Sequence, residues 1–171
     1  MEFYFKEEQK FTQWWLWLIL VSVAGVPLIQ GIKHFLNNGK YEDDHLSTAE
    51  LIGASIFVIC LFGLFLIMKL KTVIDDKKVY IQYIPFLTKD VKWSEIKNAK
   101  VVNYGFVGGW GLRFGTNYGT IYNVKGNKGL AIELHNGDRF LIGTQRSDEL
   151  EALVIRKMKS ENQFKTKKFQ E

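Results

Sequence analysis

Apolar residues are distributed unevenly along this chain. Between Lys10 and Lys33 no residue is charged, and Trp14 to Ile29 is almost wholly apolar. A second uncharged run, Leu51 to Met68, is 18 residues long and is bounded by Glu50 and Lys69. An α-helix rises about 1.5 Å per residue, so the second run covers about 27 Å, close to the ~30 Å hydrocarbon core of a bilayer. A buried helix of a soluble core rarely carries more than about 14 apolar residues without a charge. The pattern therefore predicts an N-terminal transmembrane hairpin over residues 1–70, with spans at about 12–32 and 50–69.

Details within the two runs agree with that reading. Trp14, Trp15 and Trp17 gather at one end of the first span, where indoles favour the boundary between headgroups and acyl chains. Pro27 removes a backbone donor, and the Ser22 hydroxyl or a neighbouring helix is expected to satisfy the freed carbonyl. Ser22, Ala24 and Gly25 in the first span and Ala49, Gly53 and Ala54 in the second permit close helix approach, although no clean Gly-x-x-x-Gly pair occurs. Ser22-Val23-Ala24 resembles a signal-peptidase site, but the leader MEFYFKEEQK carries three Glu against two Lys, so retention of the first span is expected. Between Glu50 and Lys69 the second span has no polar or ionisable residue except Ser55 and Cys60, and the first offers only Ser22 before Gln30, so neither supplies the intramembrane charge an ion path needs.

From about Lys71 the pattern changes to short apolar stretches punctuated by Gly, Asn and Asp, which predicts strands. A first hairpin joins Thr72–Ile74 to Val79–Tyr83 around Asp75, Asp76 and Lys77. Strands follow at about Phe86–Lys92, Ala99–Tyr104, Gly111–Gly115, Thr120–Val124, Leu130–Leu134 and Arg139–Gly143, with a turn at Trp93–Glu95. The expected fold is a mainly β barrel of about seven strands, or two orthogonal sheets. The hairpin at Asn136-Gly137 allows a definite register. A three-residue loop with Gly137 left-handed pairs Glu133 with Arg139, Ile132 with Phe140 and Leu130 with Ile142, leaving one face apolar throughout. A helix capped by Ser147 or Asp148 then presents Leu150, Leu153, Val154 and Met158 at helical spacing, with acids in its first turn and bases in its last. The domain is placed at 71–159 and a frayed, flexible basic tail at 160–171.

Several of these residues carry a resemblance. Trp93-Ser94-Glu95-Ile96, Gly108-Gly109-Trp110-Gly111 with Arg113, Tyr122-Asn123-Val124, Gly126, Gly129 and Phe140 through Arg146 resemble the bacterial pleckstrin-homology-like (PH-like) domain proteins, over roughly residues 71 to 156. Members of that family are often small membrane proteins with a transmembrane hairpin ahead of the domain. The resemblance implies a seven-stranded barrel capped by a C-terminal helix, serving as an interaction module without catalysis.

Charge and chemistry sharpen the picture. The 171 residues carry a net +5, and from Lys69 onward 19 basic residues face 11 acidic ones, a surplus of 8. Lys69, Lys71, Lys77, Lys78 and Lys89 follow the second span closely, whereas the loop between the spans has only Lys33 and Lys40 beside four acids. Retained positive charge predicts both termini in the cytoplasm, at the cell (inner) membrane. The same surplus suits an anionic leaflet, although a phosphoinositide pocket is incomplete: Lys77 and Lys78 lie in the first hairpin, but Val79 to Ile84 adds no base.

Gly105 to Gly115 is glycine-rich but lacks the Gly-Lys-Ser/Thr of a phosphate loop, and Phe114 stands where a dinucleotide fingerprint needs glycine. Cys60 is the only cysteine, and His34, His45 and His135 lack ligand spacing, so no metal or cofactor is expected. Asp43, Asp44 and His45 form one compact polar cluster in the loop, read as solvent-exposed. No nucleophile lies beside a base, and no basic helix suggests nucleic acid. The candidate partner-binding residues are Trp110, Arg113, Arg139 and Arg146, for a protein partner or lipid headgroups. The competing reading is an accessory subunit of a membrane transporter or membrane enzyme.

Overall fold

The structure, a computed structural model, describes residues 3–36, 48–105 and 109–168. The cluster Asp43, Asp44 and His45 lies outside them. The chain divides into two compact units, one of residues 11–68 and one formed by residues 1–10 together with 69–171.

The first unit is a helical hairpin. Helices α1 (Trp14–Leu36) and α2 (Thr48–Ile67) contain stretches of 20 and 19 residues long and apolar enough to cross a membrane. Only 6% of each stretch is buried within the fold. Large side chains such as Leu18, Val26, Ile56, Phe57 and Ile59 stand exposed, the reverse of a soluble core helix. The helices meet through aromatic rings: Phe11 and Phe65 edge to face at 5.6 Å, Trp17 and Phe62 at 6.1 Å. The two serine hydroxyls turn onto their own backbones, Ser22 to the Leu18 carbonyl at 2.9 Å and Ser55 to the Leu51 carbonyl at 2.8 Å. Ser22 thus serves its own i−4 carbonyl rather than the one freed by Pro27, because an i−4 oxygen lies within reach of a helical serine.

Among the described residues the second unit holds nine strands in two sheets that are not closed into a barrel. One sheet has the order β1-β2-β3-β4, all antiparallel, from β1 (Phe3–Lys10), β2 (Lys69–Asp75), β3 (Lys78–Ile84) and β4 (Leu87–Lys92). The other has the order β5-β8-β9-β7-β6, from β5 (Ile96–Asn103), β6 (Gly111–Thr116), β7 (Gly119–Asn123), β8 (Lys128–Leu134) and β9 (Arg139–Gly143), with β7 and β9 parallel. A 3₁₀ turn, Trp93–Glu95, carries the chain from one sheet to the other. Trp93 is buried there, its indole donating to the Asp75 carbonyl at 3.0 Å and its amide to the Lys77 carbonyl at 3.1 Å. Asp75 in turn accepts the Lys77 and Lys78 amides at 2.7 and 2.8 Å, so the β2–β3 turn and the sheet crossing brace each other.

The expected β8–β9 register is present: Glu133 faces Arg139, Ile132 faces Phe140 and Leu130 faces Ile142. Gly137 has φ 92°, the left-handed conformation the bulged loop requires. Gly119, with φ 74°, is constrained differently, since a Cβ there would lie 2.0 Å from the Arg139 carbonyl oxygen. The core between the sheets gathers Ile74, Val79, Ile81, Leu130, Phe140 and Ile142, joined by Leu150 and Val154 of α3 (Ser147–Lys168). Helix α3 runs to Lys168, well past the point where the apolar spacing stops, so residues 160–168 continue the helix instead of fraying.

The leader also differs from the sequence reading. It is a full strand of the β unit, paired with β2 from Phe5↔Ile74 to Lys10↔Lys69, and not an appendage of the hairpin. Phe5, Glu7 and Gln9 point inward and are buried. The Glu7 carboxylate accepts the Thr144 hydroxyl at 2.6 Å and the Gln145 amide at 2.7 Å, and the Gln9 amide donates to the Gly143 carbonyl at 2.7 Å. Glu7→Ala strips a buried hydroxyl and a part-buried amide of their acceptor and is expected to lower the unfolding free energy by about 2 kcal/mol. Lys6→Ala, which removes only an exposed side chain from the same strand, should change it by less than about 0.5 kcal/mol. Urea unfolding of the full chain in detergent micelles, followed by tryptophan fluorescence, measures both, and equal effects would dismiss the Glu7 clamp.

Candidate interaction surface

The sequence-derived candidates fall into two groups. Trp110 sits half-buried in the bend before β6, and Arg113 half-buried within that edge strand. The Arg113 guanidinium donates to the Trp110 carbonyl at 3.5 Å, while its Nε is buried with no hydrogen-bond partner among the described residues. The other two arginines lie at opposite ends of β9. Arg139 is exposed at its start, across from Glu133. Glu133 is held below the usual carboxylate range by its hydrogen bond from Lys97, with a smaller contribution from Arg139.

Arg146 follows β9 and is fully engaged within the fold. It donates to the Lys6 carbonyl at 2.9 Å and to Glu149 at 2.6 Å, and its guanidinium lies 5.1 Å from the centre of the Phe5 ring. These contacts give it a structural task, pinning β1 to the start of α3. The four residues therefore do not form one site; Trp110 and Arg113 are brought together, and Arg139 and Arg146 stand apart from each other.

Beside Trp110 opens a cleft of about 350 Å³ lined by Tyr104, Gly105, Gly109, Trp110, Asn123, Gly126 and Asn127. Asn123 organises its floor. The side chain is 1% exposed, yet its amide donates to the Tyr104 hydroxyl at 3.1 Å and its oxygen accepts the Gly111 amide at 2.9 Å. The Tyr104 hydroxyl donates in turn to the Gly126 carbonyl at 3.1 Å. Asn123 is wedged from behind by Gly143, where a Cβ would sit 2.9 Å from the Asn123 Cβ. The glycines and the Tyr-Asn-Val segment singled out in the sequence thus build one hydrogen-bonded frame, and a buried asparagine satisfied at both ends holds the Gly-Trp-Gly bend in place. The cleft offers two aromatic rings, amide groups and a nearby guanidinium, a set suited to holding a polar or peptide-like group. Its described lining carries no carboxylate, imidazole or thiol.

The residue that reasoning from sequence overlooked is Tyr83, fully buried between the sheets and 3.4 Å from the Asn123 carbonyl. Its place becomes legible only from the alternation of β3, where Val79, Ile81 and Tyr83 share the inward face. Comparison with protein-family models, with curated proteins and with solved structures gives no match to this chain.

Burial pushes the Tyr83 hydroxyl up to about 12 from its ordinary value of 10.0, against a smaller opposing pull from Arg113. Tyr104 and Tyr122 are raised by burial as well, Tyr104 less freely because the Asn123 amide favours its ionised form. Between those two pH values the unfolded chain releases the Tyr83 proton and the folded chain keeps it. The stabilisation is therefore complete below pH 10 and is lost as pH rises through about 12. Stability measured across that interval should fall steeply in the wild type and less steeply, by one proton, in Tyr83→Phe. Identical slopes would refute the burial of this phenol.

Proposed function

We propose that this chain is a multi-pass protein of the cell (inner) membrane, with both termini cytoplasmic, that presents a non-catalytic PH-like domain to a protein partner or the membrane surface. The observation that carries the reading is the pairing of Lys10 with Lys69. One residue precedes α1 and the other follows α2, so the two ends of the helical hairpin leave from neighbouring strands of one sheet. A sheet cannot be split by a bilayer, and two spans returning the chain to its starting side satisfy this requirement. The lysines that follow the second span then favour the cytoplasmic side.

The two sheets with a helix packed against their core support a PH-like assignment at the level of architecture. The interaction role rests on the open cleft beside Trp110, with the half-buried Arg113 close to it. The alternative, an accessory subunit within a transporter or membrane enzyme, draws on a different feature. Between α1 and α2 runs an apolar groove of about 500 Å³ lined by Ala24, Pro27, Ser55, Phe62 and Gly63 among others, a shape that suits a helix of a membrane partner.

A reporter that is active only outside the cytoplasm, fused after Glu171, should stay silent; activity would overturn the topology. Crosslinking and co-purification from the native membrane should recover a partner with the wild type and lose most of it with Trp110→Ala or Arg113→Ala. Undiminished recovery in both variants would remove the cleft from consideration. Recovery lost only when Gly63→Leu fills the helical groove would favour the subunit reading.

A further inference from the structure

We infer that the β3–β4 turn, with Lys10 and Lys69 beside it, is a lipid-contacting edge, in which Phe86 enters the interfacial layer and the lysines meet anionic headgroups. The inference rests on the reading of α1 and α2 as membrane spans. Chain length supplies the first step. Lys69 follows Ile67 by two residues and Lys10 precedes Trp14 by four, and a residue covers at most about 3.6 Å. The row that contains both lysines is therefore held within about 15 Å of the span ends, whatever path the connecting residues take.

Register supplies the second step. Lys10 pairs with Lys69, and Lys69 pairs with Ile84, so the turn from Ile84 to Leu87 emerges at this same end of the four-stranded sheet. The Phe86 amide closes the turn onto the Tyr83 carbonyl at 2.8 Å. The β2–β3 turn around Lys77 lies at the opposite end, about 20 Å away at 3.3 Å per residue.

The side chains at the Lys69 end suit the headgroup layer. Phe86 is 53% exposed, and among the described residues outside the two helices only Phe114 and Ile155 are large apolar side chains similarly presented to solvent. Its ring rests 6.1 Å from the ring of Tyr83, which is buried, so it projects from a firm base. Lys10, Lys69 and Lys71 surround Glu8, which lies 3.3 Å from Lys69 and 3.7 Å from Lys10 and is held below its usual range chiefly by the Lys69 hydrogen bond. One acid among three bases leaves positive charge facing outward. An exposed aromatic ring flanked by lysines is the composition that partitions into an anionic interface. A protein partner would have to displace headgroups that the tether keeps permanently at hand, so the lipid surface is the favoured occupant.

Full-length chains with Cys60→Ala and either Phe86→Cys or Lys77→Cys, carrying an environment-sensitive fluorophore, test the edge in vesicles of phosphatidylcholine and phosphatidylglycerol. The wild-type chain labelled at Cys60, exposed near the middle of α2, reports the spans themselves. The expected result is quenching at Cys60 by lipids spin-labelled deep in the acyl chain, and several-fold stronger quenching at position 86 than at 77 by lipids spin-labelled near the headgroup. Deep quenching at Cys60 with equal, weak quenching at 86 and 77 overturns the lipid edge and leaves the spans standing. Absence of deep quenching at Cys60 overturns both. A second measurement leaves Phe86 untouched: in vesicles of the unmodified chain, Lys10 and Lys69 should acetylate several-fold more slowly than Lys77, and equal rates overturn the proposal.

Discussion

The antiparallel pairing of β1 with β2 is the constraint on which the remaining architecture depends. These strands are separated in sequence by the whole helical hairpin, yet they are neighbours in one sheet. Closing so long an intervening segment costs conformational entropy, but the cost grows only logarithmically with loop length. It falls further when the segment is itself a paired hairpin whose two ends return together. The Phe11–Phe65 and Trp17–Phe62 contacts provide that pairing near the ends of the helices closest in sequence to the strands. Hairpin and sheet thus favour each other: helices that pair bring the strands together, and strands that pair restrict the helix ends. This coupling also bears on the small-residue triplet Ser22-Val23-Ala24. Cleavage there would remove β1, and with it Glu7 and Gln9 from Thr144, Gln145 and Gly143, so the β unit as folded requires an intact first helix.

A second level of organisation is polar. Buried Glu7, Gln9, Asn123 and Thr144 run counter to the expectation that a small β core excludes polar groups. Each that carries a donor or acceptor toward the β9–α3 loop or the Gly-Trp-Gly bend uses it there, so the loops are held by directional bonds where apolar packing would tolerate sliding. Outside this belt Tyr4 closes the far end of β1. Its hydroxyl donates to Asp76 at 2.6 Å, and Lys157 lies 4.7 Å from its ring and pairs with Asp76. The first strand is therefore tied to the second sheet's exit loop, to α3 and to the β2–β3 turn. A strand so heavily bonded at one edge is a component of the domain and not a passive leader.

Legibility from sequence followed the amount of apolar alternation. The β8–β9 register could be read because Leu130, Ile132, Phe140 and Ile142 alternate strictly, and only one loop length keeps them on a common face. The helices were legible because no charge interrupts their long apolar runs. Strand β1 was hidden for the opposite reason. Its inward positions include Glu7 and Gln9, so FYFKEEQK shows a charged leader where a period of two in burial exists. The end of α3 is not legible because its last turns carry no apolar stripe. At the candidate surface, Trp110 with Arg113 could be anticipated from their spacing of three in a bulged strand. The engagement of Arg146 could not, since its partner Lys6 belongs to the strand that the pattern conceals.

The same bonds account for most of the glycines and polar residues around the Gly-Trp-Gly bend. Gly111, Asn123, Gly126 and Arg146 each take part in a hydrogen bond between a side chain and the backbone, and Gly143 packs closely on Asn123, which leaves Trp110, Arg113 and the cleft beside them without such a task. On the proposed interaction reading, a surface of one indole, one guanidinium and a few amides would supply modest intrinsic affinity, since exposed polar contacts contribute little individually. Confinement to a membrane changes what such a surface can achieve. A tethered module meets membrane-bound partners at an effective concentration that free diffusion in solution does not match, so weak and reversible contacts suffice for occupancy. On the membrane reading, the hairpin is then part of the recognition device, because the pairing that anchors the β unit also determines which partners it can meet.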